Sequence, residues 1–331
     1  MKENDEILEV TSALVPPLLS ALDALQMASR FMHPPNIAAV VEVISDKQLA
    51  VRDGLQAFQS AEWPENLERF FVAVKESAEN ALEAFAAFDE AVKQAEPAMA
   101  AYKAMGLATK AVESMYPVAS MLAPVSRFYL EDSSRSDDLL LNRLEDADTS
   151  KPDVGVMHAN NSSRERGGFS MYVPEYYEGE EVPLVVALHG GSGHGRNFLW
   201  SWLVAARSKN AILVAPTSLG GTWALTDPER DIQHLESLVS YVRKNWNIDS
   251  KKILLTGMSD GGTFTYVAGL GKNSVFTHLA PCSASFHPML LEAADAERLN
   301  GLPIYLIHGA LDWMFSAEVA RSAEESFLKA G

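Results

Sequence analysis

Glycine is unevenly distributed along the chain, and this limits the folds that its two parts can adopt. Of the 20 glycines, only Gly54 and Gly106 lie in the first 150 residues. Glycine supplies the positive φ angles and the close backbone approach that tight strand-to-helix turns need, whereas a plain helix needs neither. We therefore expect a helical first part and an α/β second part.

The first part has the pattern of amphipathic helices. Between Glu65 and Ala95 the apolar residues recur at steps of three and four, which builds one apolar stripe along a helix. Residues 1–150 also hold 12 of the 27 lysines and arginines and 25 of the 44 acidic residues, so most of the net charge of −17 lies here. We predict an acidic helical domain over residues 1–130 and a linker over residues 131–165. The stretch 131–152 of this linker is rich in Asp, Ser and Arg and has at most a short helix around 139–144.

The charge balance and the single cysteine exclude several classes of protein. An acidic surface repels phosphate backbones and anionic lipids, so we expect no nucleic-acid partner. Cys282 alone forms neither an internal disulfide nor a zinc site, and no His, Cys and carboxylate cluster has metal-ligand spacing. We therefore expect no metal and no cofactor. The first residues lack the pattern of a signal peptide and we find no apolar run of membrane-spanning length, so we expect a cytoplasmic protein with no membrane span.

The second part alternates strand and helix signals from about residue 166 to residue 331. Continuous apolar runs at 183–188, 211–215 and 252–256 predict buried strands, and amphipathic segments between them predict helices. Further along, we predict a strand over 302–307 and a helix over 316–330. Strands separated by helices indicate a mostly parallel sheet, in which sites lie at the carboxyl ends of the strands.

The first strand-end loop fits the pattern G-x-S-x-G. Gly257, Ser259 and Gly261 stand between a buried strand and a helix. Such a turn places the serine in a strained conformation that needs small neighbours, and it exposes the hydroxyl above the sheet. We interpret Ser259 as a nucleophile and Gly257 and Gly261 as the glycines of its elbow.

The second loop runs from His189 to Gly195 after the strand that ends at Leu188. Attack by a serine on an ester creates an oxyanion, which backbone N–H groups stabilise when they are fixed in advance. We predict Asp260 as one donor and Gly191 or Ser192 as the other. The spacing also resembles a phosphate-binding loop, but Arg196-Asn197 stands where that motif needs Lys followed by Ser or Thr.

The third loop follows the predicted strand 302–307 and contains Asp312. An acid in this position, downstream of the serine, is where the order Ser, Asp, His places the carboxylate that orients a catalytic histidine. We therefore predict Asp312 as the catalytic acid.

These three loops resemble those of α/β-hydrolases in the phospholipase/carboxylesterase and polyhydroxybutyrate-depolymerase-like esterase group. The resemblance rests on His189-Gly190-Gly191, on the motif around Ser259 and on His308-Gly309-x-x-Asp312, and it covers about half the chain. It implies an α/β-hydrolase-type, mostly parallel sheet, of which the last strand and helix are missing here. The all-α domain that precedes this sheet has no counterpart in the minimal fold and is predicted from its own apolar pattern. The resemblance also implies a serine esterase that cleaves small-molecule carboxylic esters through an acyl-enzyme.

The catalytic histidine departs from the pattern of this group. No histidine lies between Trp313 and Gly331, where the chain order requires it. Two explanations stay open at this point: a hydrolase cut before the strand that carries the histidine, or a natural pseudoenzyme. Among the eight histidines, His287 is the candidate substitute, against a role in lining the pocket.

The substrate is weakly encoded in the sequence. Trp223, His287 and Trp313 fall in or near strand-end loops and are candidates for the wall of an acyl pocket. The helical domain carries no visible chemistry, and packing on a second copy of itself, as a homo-oligomer, is one role for it. The alternative to an esterase is a hydrolase-like binding or scaffolding module that acts through the helical domain.

Overall fold

The protein consists of two compact units. The computed structural model describes residues 2–292 and 294–331, and it divides into Met1–Arg135 and Ser136–Gly331. The predicted helical domain ends at residue 130, whereas the first unit of the structure also contains the short 3₁₀ turn Asp132–Ser134.

Six α-helices form the first unit. They are Lys2–Arg30 (α1), Ile37–Ser45 (α2), Lys47–Ser60 (α3), Glu68–Ala91 (α4), Pro97–Met115 (α5) and Ala123–Phe128 (α6). The predicted apolar stripe lies on α4, where Phe70, Val74, Phe85 and Phe88 are buried. Helix α1 continues through Pro16 and Pro17, and buried Leu14 and Leu18 anchor it on either side.

Helix α1 also bears on the expected absence of a membrane span. Its segment Asp5–Arg30 is long and apolar enough to cross a membrane by length and composition, and 39% of its most apolar window is buried inside the protein. The buried residues include Leu18, Leu22 and Leu25. The core helix of a globular domain has the same properties, so the absence of a span stays a prediction.

A six-stranded sheet forms the centre of the second unit. The strands are Gly155–Ala159 (β1), Phe169–Val173 (β2), Val182–Leu188 (β3), Ile212–Pro216 (β4), Ile248–Met258 (β5) and His278–Cys282 (β6). Their spatial order is β1-β2-β4-β3-β5-β6, with antiparallel pairing at β1-β2 and β2-β4 and parallel pairing from β4 to β6. The predicted mostly parallel α/β sheet preceded by a helical region is confirmed.

Helices flank this sheet and connect its strands. They are Asp138–Glu145 (α7), Gly195–Ser208 (α8), Glu229–Asn245 (α9), Asp260–Gly269 (α10), Met289–Glu292 (α11), Ala296–Leu299 (α12) and Glu318–Ala330 (α13). The buried core is formed by apolar side chains of β2 to β6 together with α9 and α10. Both faces of β3 are covered, which accounts for its continuous apolar sequence.

Two predictions about the second unit need correction. The segment 131–165 is not a linker throughout, because it contains β1, which pairs with β2 from Gly155↔Val173 to Ala159↔Phe169, while the short helix expected around 139–144 is α7. A strand at the edge of a sheet has one neighbour, so burial imposes a weaker apolar pattern on its sequence. The predicted strand 302–307 is reduced to two parallel bridges, Leu279↔Ile304 and Cys282↔Ile307.

The parallel register brings the predicted loops to one edge of the sheet. Leu188 at the end of β3 is paired with Gly257 near the end of β5, and Met258 is paired with Cys282 at the end of β6. The bridge at Ile307 continues this alignment. The loops that follow these positions carry the predicted oxyanion donors, the serine and the acid.

Candidate active site

Ser259 lies in a sharp turn between β5 and α10. Its backbone has φ 55° and ψ −118°, a conformation that a residue with a side chain adopts only under strain, and it is the N-cap residue of α10. The N–H of Ser259 donates to the carbonyl of Cys282 at 2.9 Å, and its own carbonyl accepts from the N–H of Thr263 at 2.8 Å. The turn is therefore fixed by β6 on one side and by the helix on the other.

The glycines around Ser259 are required by backbone contacts. A Cβ atom on Gly257 would lie 2.4 Å from the carbonyl of Gly261. On Gly261 it would lie 2.5 Å from the carbonyl oxygens of both Leu188 and His189. No side chain fits at these distances, so the two glycines allow α10 to start directly against the end of β3.

The side-chain hydroxyl of Ser259 is partly exposed. It makes no hydrogen bond to any residue that the structure describes. An unengaged hydroxyl at a strained strand-to-helix turn has the geometry of a nucleophile elbow.

The loop after β3 lies beside this turn. Gly191 is so close to the side chain of Asp260 that a Cβ on the glycine would be 2.8 Å from Oδ2. Ser192 has φ 55°, and the N–H of Gly193 donates to the carbonyl of Gly190 at 2.9 Å to close a tight turn. The N–H groups of Gly191, Ser192 and Asp260 donate to no acceptor in the part of the chain that the structure describes. The structure thus brings the three predicted donor residues together.

A cleft opens next to these residues. Its volume is about 600 Å³, and it is lined by Gly191, Ser192, Gly221, Thr222, Trp223, Ala224, Leu225, Thr226 and Asp260. The hydroxyl of Thr222 donates to Oδ2 of Asp260 at 2.7 Å, which joins the loop 218–226 to the start of α10. Of the predicted pocket residues, Trp223 therefore lies at the cleft.

Asp312 lies beyond β6, in the loop after the bridged segment 304–307. Its Oδ1 accepts from the N–H groups of Met314 at 2.9 Å and Phe315 at 3.0 Å. Partial burial alone would raise the pKa of Asp312, but these two hydrogen bonds, the Ser283 side chain and nearby His308 together hold that pKa below its ordinary value. The carboxylate is therefore ionised and fixed in place.

Comparison with known proteins places this arrangement in a family. A sequence model of the dienelactone hydrolase family matches residues 159–331, which contain Ser259, Asp312 and the cleft. The chain belongs to the dienelactone hydrolase family. The predicted resemblance to α/β-hydrolase esterases is confirmed at this level.

This dienelactone hydrolase family member spans only part of the length of the relatives that it matches. The chain is 30% identical over 178 residues to the bifunctional acetylxylan esterase/xylanase XynS20E of Neocallimastix patriciarum, covering 51% of this chain and 25% of that protein. A thermostable esterase shares 20% identity over 53% of this chain and 52% of its own, with a TM-score of 0.43. The acetyl xylan esterase from Aspergillus awamori shares 19% identity over 40% of this chain and 52% of its own, with a TM-score of 0.35.

His189, at the start of the loop after β3, is neutral and structural in this family member. Burial lowers the pKa of His189 to about 4, more than its hydrogen bond to Gly190 raises it. Its Nε2 accepts from the N–H of Ser218 at 3.1 Å, so Nδ1 carries the proton and donates to the carbonyl of Gly190 at 2.7 Å. Both ring nitrogens are therefore used to hold the loop.

The cleft wall is fixed by two residues whose roles the sequence analysis missed. Arg166 donates to the carbonyls of Gly193 at 2.7 Å and Gly220 at 2.8 Å, and also to the hydroxyl of Ser218. Asp231 is buried inside α9, and its carboxylate accepts from N–H groups of the cleft loop. The partners of Arg166 lie 27 to 54 residues away and those of Asp231 lie 7 and 12 residues away, so neither role belongs to a short motif.

The remaining predicted pocket residues lie away from the cleft lining. His287 is exposed, and its Nδ1 accepts from the N–H of Met289 at the start of α11. Trp313 is 49% exposed beside Asp312. Neither belongs to the wall of the cleft.

No histidine within residues 2–292 and 294–331 forms a hydrogen bond with the Ser259 hydroxyl. His308 is the one placed near Asp312, with Nε2 3.6 Å from Oδ2, but that nitrogen also lies 2.8 Å from the carbonyl of Phe315 and donates to it. We also find no group of three or more His, Cys, Asp or Glu side chains among the described residues that is placed to hold a metal ion.

Proposed function

We propose that this chain hydrolyses carboxylic esters and that Ser259 is the nucleophile. The observation that carries the proposal is the strained turn at Ser259, which presents an unengaged hydroxyl beside the cleft and at the start of α10. Membership of the dienelactone hydrolase family supports chemistry on esters.

The proposed reaction has two steps. Oγ of Ser259 bonds to the ester carbonyl carbon, and the oxyanion accepts hydrogen bonds from the N–H of Asp260 and that of Gly191 or Ser192. The C–O bond to the alcohol then breaks, the alcohol leaves with the proton lost by Ser259, and an acyl-enzyme remains. Water attacks the acyl carbon, the acid is released, and the Ser259 hydroxyl is restored.

In this proposal Asp312 is the catalytic acid, and the activation of Ser259 is the slow part. Because the Ser259 hydroxyl has no hydrogen bond to a histidine among the described residues, no described imidazole is in place to accept its proton. We therefore expect acylation by this chain to be slow.

The pH dependence of acylation tests this expectation. Without a histidine base, the rate depends on hydroxide and should rise by about tenfold per pH unit between about pH 6 and pH 8, without a plateau. Stopped-flow or manual measurement of nitrophenol release in the first turnover gives this profile. An inflection near neutral pH that disappears in His287→Gln would contradict the expectation and identify His287 as the base.

We propose short-chain esters, acetyl esters above all, as substrates. The relative from Neocallimastix patriciarum is described as an acetylxylan esterase/xylanase, which supports acetyl esters of a hydroxyl-rich alcohol. The cleft wall combines the hydroxyls of Ser192, Thr222 and Thr226 with apolar Trp223, Ala224 and Leu225, and a mixed wall around about 600 Å³ suits a small ester.

Hydrolysis of 4-nitrophenyl acetate separates the esterase from a binding module without turnover. We expect the wild-type chain to release nitrophenol faster than buffer, and Ser259→Ala to fall to the buffer rate. Ser285→Ala is the matched control. Ser285 lies near the elbow, where its backbone N–H donates to the Thr263 hydroxyl, and its side chain has no proposed part in the reaction. Equal rates for wild type and Ser259→Ala would favour the scaffolding alternative.

A further inference from the structure

The side chain of Asp260 gives the cleft a negative charge. Asp260 is the charged residue among the nine described residues that line the cleft. Its Oδ2 accepts the hydrogen bond from Thr222 at 2.7 Å, and Gly191 packs against the same carboxylate. Its Oδ1 has no hydrogen-bond partner among the residues that the structure describes.

This carboxylate is held in place and not neutralised by a cation. The bond from Thr222 fixes its orientation, and the absence of a Cβ on Gly191 leaves the room that it occupies. Arg166 does not line the cleft: its guanidinium donates to the carbonyls of Gly193 and Gly220 behind the wall, and it interacts electrostatically with Asp231.

An ionised carboxylate accepts hydrogen bonds and donates none. A ligand group that meets Oδ1 must therefore be a donor, such as a hydroxyl, an amide N–H or an ammonium group. A ligand carboxylate in the same place meets a like charge at short range, and the repulsion between the two carboxylates is greatest at low salt. Because Asp260 follows Ser259 directly, any ester positioned for attack lies close to this charge.

We propose that Asp260 is a specificity-determining residue that selects uncharged or cationic esters over esters that carry a carboxylate. The inference rests on the proposed function for the place of the ester, and it names the substrate class. The chain should therefore act on neutral, donor-bearing esters, and a nearby carboxylate on the substrate should exclude it.

Binding to a Ser259→Ala background tests the proposal without turnover. The probes are 4-acetoxybenzamide and 4-acetoxybenzoate, which have nearly the same shape and differ in charge, and ligand-observed NMR titration gives both values of Kd. We expect the amide to bind at least about tenfold tighter than the carboxylate at low salt. Adding Asp260→Asn should reduce this ratio to less than about threefold, through tighter binding of the carboxylate.

Asp227→Asn is the matched control. Asp227 is exposed and directly follows the cleft residue Thr226, so its replacement removes one negative charge close to the cleft without changing the lining. The ratio should stay within about twofold of the Ser259→Ala value, because exposed charges are screened.

Three outcomes would overturn the proposal. They are an unchanged ratio in Asp260→Asn, an equal decrease in Asp227→Asn, and no saturable binding of either probe at millimolar concentration. The proposed function is tested by a different measurement: it is wrong when wild type hydrolyses 4-nitrophenyl acetate no faster than Ser259→Ala. The ratio of the two Kd values can still be measured in that case.

Discussion

At the scale of single residues, His189 shows how burial sets the chemistry of a side chain. It follows the buried strand β3, donates to Gly190 and accepts from Ser218, and it therefore stays neutral. The His-Gly-Gly pattern is local, so the loop that follows β3 and begins at His189 could be predicted from the sequence. The sequence did not reveal Arg166, whose acceptors Gly193 and Gly220 are 27 and 54 residues away.

The neutral state of His189 predicts a loss of stability in acid. Since the folded pKa of about 4 lies below the ordinary value of 6.5, the unfolded chain binds more protons between these values. The contribution of neutral His189 to the free energy of unfolding is fully present above about pH 6.5 and decreases as the pH falls towards 4. At about pH 4.5 the loss is on the order of 2 kcal/mol. Urea unfolding at about pH 7 and pH 4.5 measures it.

His189→Gln should remove most of this pH-dependent difference in the free energy of unfolding, because glutamine does not titrate. His287→Gln is the control, since the exposed imidazole of His287 is replaced without touching the core. A difference that is the same in wild type and His189→Gln would contradict the assignment.

At the scale of elements, the strand-turn-helix unit of β5 and α10 was predictable and the edges of the sheet were not. Gly257 and Gly261 mark a turn whose conformation is set by neighbouring backbone, so a short motif encodes it. Strand β1 gave no comparable signal, because its pairing with β2 alone leaves it free of the apolar pattern that burial imposes.

The elbow predicts a sharp difference between two glycine-to-alanine changes in the same unit. Gly261→Ala places a Cβ 2.5 Å from two carbonyl oxygens and should cost about 2 kcal/mol or more of the free energy of unfolding. Gly271→Ala meets nothing within 4 Å and should stay within about 0.5 kcal/mol of wild type. Urea unfolding of both variants provides the comparison. Equal changes in the free energy of unfolding would contradict the close approach of Gly261 to the carbonyls of Leu188 and His189.

At the scale of the whole molecule, the charge and the glycine content describe two different units. The acidic helical region carries most of the charge of −17, and the glycine-rich region carries the cleft. Composition indicated this division, but it did not fix the boundary. The helix α7 and strand β1 lie in the stretch predicted as a linker, although they belong to the second unit.

The second unit should fold without the first. Its apolar core is formed by residues between Val154 and Phe327. We therefore expect a fragment covering 136–331 to unfold cooperatively and to react with a fluorophosphonate at a rate within about threefold of the full chain. Circular dichroism and labelling kinetics measure this. An unfolded or unreactive fragment would show that the helical unit is needed for the site.

The central claim is that Ser259 is a nucleophile, and covalent labelling tests it most directly. The full chain is treated with a fluorophosphonate and digested, and the modified residue is identified by mass spectrometry, with Ser259→Ala and Ser285→Ala treated in parallel. We predict slow labelling of a single residue, Ser259, which is lost in Ser259→Ala and retained in Ser285→Ala. A chain that stays unlabelled, or that is labelled equally when Ser259 is replaced, would contradict the account.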